Sequence, residues 1–172
     1  RKMESGGGLG IGVSKWELDT PALLVDLDKL DRNIQSLQAM VTKNGIASRP
    51  HAKTHKCPEI AKLQLATGSI GICVAKLSEA EVMFSHGIEE ILLTTSNVTA
   101  PKILRAMALR KSCKGFIQAV DTVRNAEDLA EAAREAGIVA DVVVDVDSSS
   151  HRTGITPGKP ALELAQIVDK SP

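Results

Sequence analysis

A chain of 172 residues is about one domain long, and 43% hydrophobic with 24% charged residues is the composition of an ordinary globular protein able to build a core. Twenty-one basic residues balance twenty-one acidic ones, which argues against nucleic acid, a membrane surface or an acidic partner and points to a small molecule. With two phenylalanines, one tryptophan and no tyrosine, the chain also lacks the platforms on which single-stranded nucleic acid stacks.

No apolar run approaches the roughly 20 residues that span a bilayer, and no charged-then-apolar leader precedes a small-residue cleavage site. The expectation is a soluble, cytoplasmic protein. Cys57, Cys73 and Cys113 are odd in number, far apart and free of any CxxC pair, which suits reduced thiols better than a disulfide framework. Residues 1–19, with Gly6, Gly7, Gly8, Gly10 and Gly12, read as a flexible leader, and residues 20–172 as the folded part.

In chain order, residues 22–25 form a short apolar strand. Leu27, Leu30, Ile34, Leu37 and Val41 then recur at helical spacing, giving an amphipathic helix capped by Asp26 or Asp28. Gly45 breaks it, and residues 46–52 read as a strand running into RPHAKTHK (residues 49–56). Pro58 suits the first turn of the next helix, whose apolar face is Ile60 and Leu63, and Gly68 suits its end. An apolar run at residues 70–75 follows, then Ser78 and Glu81 at capping-box spacing, with that helix ending near Gly87.

The cycle repeats with a strand at 91–94, a helix from about Thr99 with Pro101 in its first turn, a strand at 116–120, and an alanine-rich helix over about 124–136 closed by Gly137. A strand at 139–146 and a helix over 161–168 complete it. Strands thus start roughly every 20 to 25 residues with a helix between each pair, a β/α rhythm. Residues 71–75 and 91–93 are continuously apolar, as in parallel strands covered on both faces. Periodicity leaves a doubly wound sheet and a TIM-type β/α barrel both open, but no GxGxxG opens a helix after a strand, so a dinucleotide fold is disfavoured.

Lys53 falls where a strand hands over to a loop, at the C-terminal edge of the sheet, where parallel architectures build their sites. A lysine that is to attack an aldehyde must lose its proton, which desolvation and neighbouring positive charge favour; Lys56 and His51 or His55 could provide that setting. The plain alternative is a pair of solvated loop lysines. His51 and His55 with Cys57 suggest zinc, but a strand followed by a turn need not bring them together and no fourth ligand is evident. The second polar stretch, DVDSSSHRTG (residues 145–154), offers hydroxyls, permissive backbone and the Arg152 fork, equally the make-up of a surface turn. A triad of Ser149, His151 and Asp147 is disfavoured because no GxSxG elbow surrounds the serine.

TPALLVDLDKLDRNI (residues 20–34), RPHAKTHK and VDVDSSSHRTGI (residues 144–155) resemble, in that order and at similar separations, fold-type III pyridoxal-phosphate enzymes: the D-threonine aldolase and D-serine dehydratase family and, more distantly, alanine racemase. The resemblance implies an alanine racemase N-terminal-like partial barrel of parallel strands. It implies that Lys53 carries the cofactor and that Arg152 hydrogen-bonds its phenolic oxygen, with His51 and His55 as further cofactor-side candidates. Ser148 and Ser149 stand where many relatives have glycine, which bears on the shape of that loop.

By the same resemblance, the first strand belongs with a mostly β domain, and counting barrel strands from residue 46 gives five. The rest of the barrel, the phosphate-binding loops and the ligands of a divalent metal (Mn or Zn) would lie beyond Pro172. A lone copy is therefore expected to be marginal, to bind the cofactor poorly and to turn nothing over. The activity implied for the complete protein is that of a lyase on D-β-hydroxy amino acids in a homodimer, foremost aldol cleavage to glycine and an aldehyde. Dehydration of D-serine or D-threo-3-hydroxyaspartate is the alternative; non-catalytic handling of the vitamer and an inactive fragment are the others.

Overall fold

The computed structural model describes residues 12–171. Most of the expected leader lies outside them. Its described part holds one 3-10 turn, Lys15–Glu17, where Ser14 Oγ accepts from Trp16 N–H and Glu17 accepts from Ser14 N–H.

After it come α1 (Leu27–Lys43), α2 (Pro58–Ala66), β1 (Ile72–Val74), α3 (Leu77–Ser85), β2 (Ile91–Leu93), α4 (Ala100–Ser112), β3 (Phe116–Val120), α5 (Val123–Ala136), β4 (Asp141–Val144) and α6 (Lys159–Lys170). All four strands are parallel and lie in the order β1-β2-β3-β4. That order settles what periodicity left open. A doubly wound sheet reverses direction at a switch point, whereas an unreversed series of right-handed crossovers places every helix on one face, as around a barrel.

Along β1 and β2 the outer residues Ile72, Val74, Ile91 and Leu93 are fully buried, while Cys73 and Leu92 between them are half-buried. Burial against the helices stabilises each such side chain by about 1.5–3 kcal/mol. Phe116, Val120, Met83, Ile103 and Leu129 complete this core. The expectation of strands covered on both faces thus holds only for the helix side.

Three expectations are corrected, and a fourth holds with a qualification. Residues 22–25 make no strand: they have no regular secondary structure, and Leu23, Leu24 and Val25 are all exposed, because no described strand lies beside them. Residues 46–52 are likewise no strand but an extended segment joined to β1 through one bridge, His51 to Cys73, so the sheet has four strands rather than five. α1 is the amphipathic helix expected, capped by Asp26, yet buries no residue; Leu27 and Leu37 are 70% and 50% exposed. Helix α3 starts two residues before the Ser78 and Glu81 pattern requires: Glu79 accepts from the backbone N–H groups of Ala75 and Lys76, while Glu81 pairs with Arg105 of α4.

Candidate active site at the C-terminal edge of the sheet

Three main-chain hydrogen bonds carry residues 48–52 along β1. Ile70 N–H donates to Ser48 O (2.9 Å), Cys73 N–H to Pro50 O (2.8 Å) and Ala52 N–H to Cys73 O (2.8 Å). Pro50 has no N–H to give, so it serves the ladder through its carbonyl alone. Ala52, only 1% exposed, is the last residue pinned to the core, and Lys53 begins the turn beyond it. Lys56 N–H closes that turn on Ala52 O (2.7 Å), with Lys56 itself at φ 49°. Lys53 therefore stands at the C-terminal edge, as its position in the sequence implied. The burial expected around it is missing, for Lys53 is exposed.

His51 shares the inner face of the sheet with Cys73, its bridge partner. Its Nδ1 accepts the Lys53 N–H at 3.2 Å, and its Nε2 lies 3.3 Å from Thr94 Oγ1, which donates to Val74 O at 3.1 Å. An imidazole whose Nδ1 accepts must carry its proton on Nε2, so His51 donates to Thr94. Partial burial first, then the Lys53 charge, push the His51 pKa below its usual 6.5 against the opposing pull of Glu79, so the ring is neutral at pH 7.

His55 turns elsewhere. Its Nδ1 accepts the Cys57 N–H at 3.0 Å at the start of α2, and its buried Nε2, like the buried Gln64 Oε1, meets no hydrogen-bond partner among the described residues. Burial lowers its pKa also. It lines a groove of about 470 Å³ between α1 and α2, with Leu30, Ile34, Leu37 and Ile60, whose lining includes neither Lys53 nor Arg152. His51, His55 and Cys57 thus share no centre, and no group of three or more His, Cys, Asp or Glu among the described residues could hold a metal. Lys56 is drawn to Glu79 (3.4 Å), whose backbone and Lys56 hydrogen bonds outweigh burial and hold its carboxyl below the ordinary range.

Across the sheet, β4 delivers the second stretch to the same edge. Asp147 N–H donates to Ile155 O and Ile155 N–H to Asp145 O, both at 2.9 Å, which closes residues 145–155 into a loop. Asp147 is its hub, accepting the His151 N–H (3.0 Å) and the Ser150 hydroxyl (3.5 Å) while its Oδ2 lies 3.1 Å from His151 Nδ1. Gly154 has φ 95°, and a Cβ there would come within 2.5 Å of Asp147 N, so only glycine fits. Ser149 and His151 also have positive φ, at 86° and 51°. Arg152 is exposed and makes no ion pair or side-chain hydrogen bond among the described residues. Ser149, His151 and Asp147 form no relay: His151 Nδ1 lies 3.1 Å from Asp147 Oδ2, but among the described residues no side-chain hydrogen bond joins Ser149 to His151.

Sequence reasoning missed Thr94. It ends an apolar run and carries no motif; only a polar residue at the C-terminal tip of a parallel strand could have flagged it. It missed as well the buried network behind β2 and β3, in which Asn97 donates to Gln118 (3.1 Å) and Asn125 to Asn97 O (2.6 Å) and so ties down the loop after β2.

Sequential parallel β/α units with a lysine and an arginine at the C-terminal edge define a class, the barrel-type domains that assemble chemistry at that edge. Residues 25–172 match the family described as alanine racemase, N-terminal domain, and the chain belongs to it. It is 38% identical over 149 residues to a D-threonine aldolase of Arthrobacter sp., covering 87% of this chain and 39% of that protein. It is 36% identical over 148 residues to the D-threo-3-hydroxyaspartate dehydratase of Delftia sp. (strain HT23), covering 86% and 39%. The crystal structure of D-threonine aldolase from Filomicrobium marinum superposes with a TM-score of 0.86 at 39% identity, covering 89% of this chain and 41% of that one. The chain spans about two fifths of the length of these relatives.

Proposed function

We propose that the protein to which this chain contributes is a pyridoxal-phosphate-dependent lyase of D-β-hydroxy amino acids, cleaving Cα–Cβ in the manner of an aldolase. The observation that carries this reading is Lys53: an exposed amine at the C-terminal edge, on a turn whose backbone is held by a neutral imidazole. The residues present fit the cofactor. Lys53 would hold its aldehyde carbon covalently, and Arg152, with its fork unengaged among the described residues, would meet an anionic oxygen. When bound, pyridoxal phosphate supplies an electron sink for charge developing beside the amino group.

The chain's own residues do the rest. His51 orients the Lys53 turn without adding a positive charge beside the amine. Asp147 and Gly154 shape the loop that presents Arg152. Dehydration remains the neighbouring chemistry, since a dehydratase is among the relatives. A divalent metal, Mn or Zn, with ligands from outside the described residues, a homodimeric assembly and a cytoplasmic setting belong to the same proposal; no helix among the described residues is long and apolar enough to cross a membrane.

The test is to incubate the protein with pyridoxal phosphate, reduce with borohydride and map the pyridoxyl group by peptide mass spectrometry. Labelling of Lys53 alone is expected; labelling spread over surface lysines overturns the assignment. In a separate, unreduced sample of the protein to which this chain contributes, loaded with pyridoxal phosphate, D-threonine should yield glycine and acetaldehyde, and a 2-oxo acid would instead place it with the dehydratases.

A further inference from the structure

The geometry points to His51 and Thr94 as a positioning pair that sets the main-chain direction of Lys53, an inference resting on the cofactor role proposed for that lysine. Lys53 N–H donates to His51 Nδ1, His51 Nε2–H donates to Thr94 Oγ1, and Thr94 Oγ1–H donates to Val74 O. The order of protons along this path is fixed by its two ends, the second of which, Val74 O, also accepts the Thr94 N–H at 3.0 Å. Lys53 N–H can only donate, and Val74 O can only accept. The path crosses from the Lys53 turn to the tip of β2 and back to the last residue of β1, joining three neighbouring chain segments at the edge where the lysine stands.

The turn has few other restraints. Beyond Ala52, its only main-chain bond is from Lys56 N–H to Ala52 O, and Lys53 and Thr54 are both exposed. A side-chain amine on an exposed turn sweeps a wide volume, and a reaction that needs attack from one direction gains when the backbone beneath is fixed. An apolar residue at 94 would leave His51 Nε2–H without its acceptor. A protonated His51 could not accept from Lys53 N–H and would set a second positive charge beside the amine. The charged groups facing His51 are Lys53 and, more weakly, Glu79, which is itself engaged by Lys56.

Neither residue touches a reacting atom in this account, so the test must separate positioning from folding. The first measurement is borohydride-trapped labelling by pyridoxal phosphate, read as the ratio of Lys53 to Lys56 in one peptide digest. Relative to the parent, His51→Ala should lower that ratio about tenfold and Thr94→Val about threefold, as expected for the loss of one or two hydrogen bonds. His51→Asn should keep the ratio within about twofold, because its Oδ1 lies where Nδ1 accepts. Thr94→Val, which strands the His51 Nε2–H, should lower the thermal midpoint somewhat, so labelling is compared well below the midpoint of every variant, where a changed ratio reports the turn and not unfolding.

A second measurement does not depend on the cofactor. Exchange of the Lys53 amide proton should quicken in His51→Ala and remain slow in His51→Asn, and ¹⁵N spectra at pH 7 should show His51 protonated on Nε2. Unselective labelling of the parent would overturn the cofactor reading while leaving amide exchange to judge the positioning pair. Selective labelling of the parent with unchanged ratios in His51→Ala and Thr94→Val would overturn the positioning pair and leave the cofactor reading standing.

Discussion

The two halves of the candidate site are held in opposite ways. The Lys53 turn is fastened to its neighbours: Ala52 is pinned in the core, and His51 reaches through Thr94 to the carbonyl of Val74. The Arg152 loop is fastened mainly to itself, through the Asp147 hub and the Gly154 backbone, on a strand whose residues are at most half-buried. A site element tied across strands shares the stability of the sheet, whereas a self-closed loop opens locally at lower free energy. The lysine position should therefore be rigid before any ligand arrives, and the arginine should be the part that adjusts.

The largest perturbation should erase the contrast. Phe116, buried at the start of β3, supports both flanks, and Phe116→Ala should cost about 3–5 kcal/mol and unfold them together in a urea titration. Gly154→Ala should isolate the loop. Positive φ and the clash with Asp147 N together cost about 2 kcal/mol, read as faster amide exchange over residues 146–155 with exchange at Ala52 unchanged. Asp147→Ala removes the acceptor of the His151 N–H and should raise exchange there by the equivalent of about 1 kcal/mol, again without touching the Lys53 turn.

Acid should act on the other flank. His51 and His55 have folded pKa values below the usual 6.5, so as pH falls through that value the unfolded chain takes up protons first and stability declines, levelling off below the folded values. Glu79, lowered from 4.5, adds a further loss once pH drops below that value and the unfolded carboxyl protonates first. Urea midpoints measured from pH 8 to pH 4 should trace this slope, and His55→Gln should flatten its upper part. Smallest is Lys53→Ala, which should change stability by less than about 0.5 kcal/mol because the side chain is exposed, while abolishing specific labelling.

Strong local signals were legible from the residues. Pro101 in the first turn of α4, Gly137 at φ 64° after α5, Asp26 capping α1 and the strand at 116–120 all lie where pattern and capping chemistry placed them. Lys53 stands at the C-terminal edge of the sheet as expected, although the segment before it is joined to β1 by a single bridge and is no strand. The weaker signals failed where a partner was needed. An apolar run at 22–25 becomes a ladder only beside another strand, and the apolar face of α1 is buried only if something covers it.

The amino-acid order by itself determined the β/α rhythm and the two polar stretches that carry Lys53 and Arg152, because periodicity, caps and glycines act within a few residues. Only the tertiary structure decided that the strands run in unreversed order, that His51 faces Thr94 while His55 turns toward α2, and that Asp147 rather than a serine organises the second loop. Those outcomes depend on which strand tips become neighbours, a matter of sheet register between residues as many as 43 positions apart, and no local pattern records it.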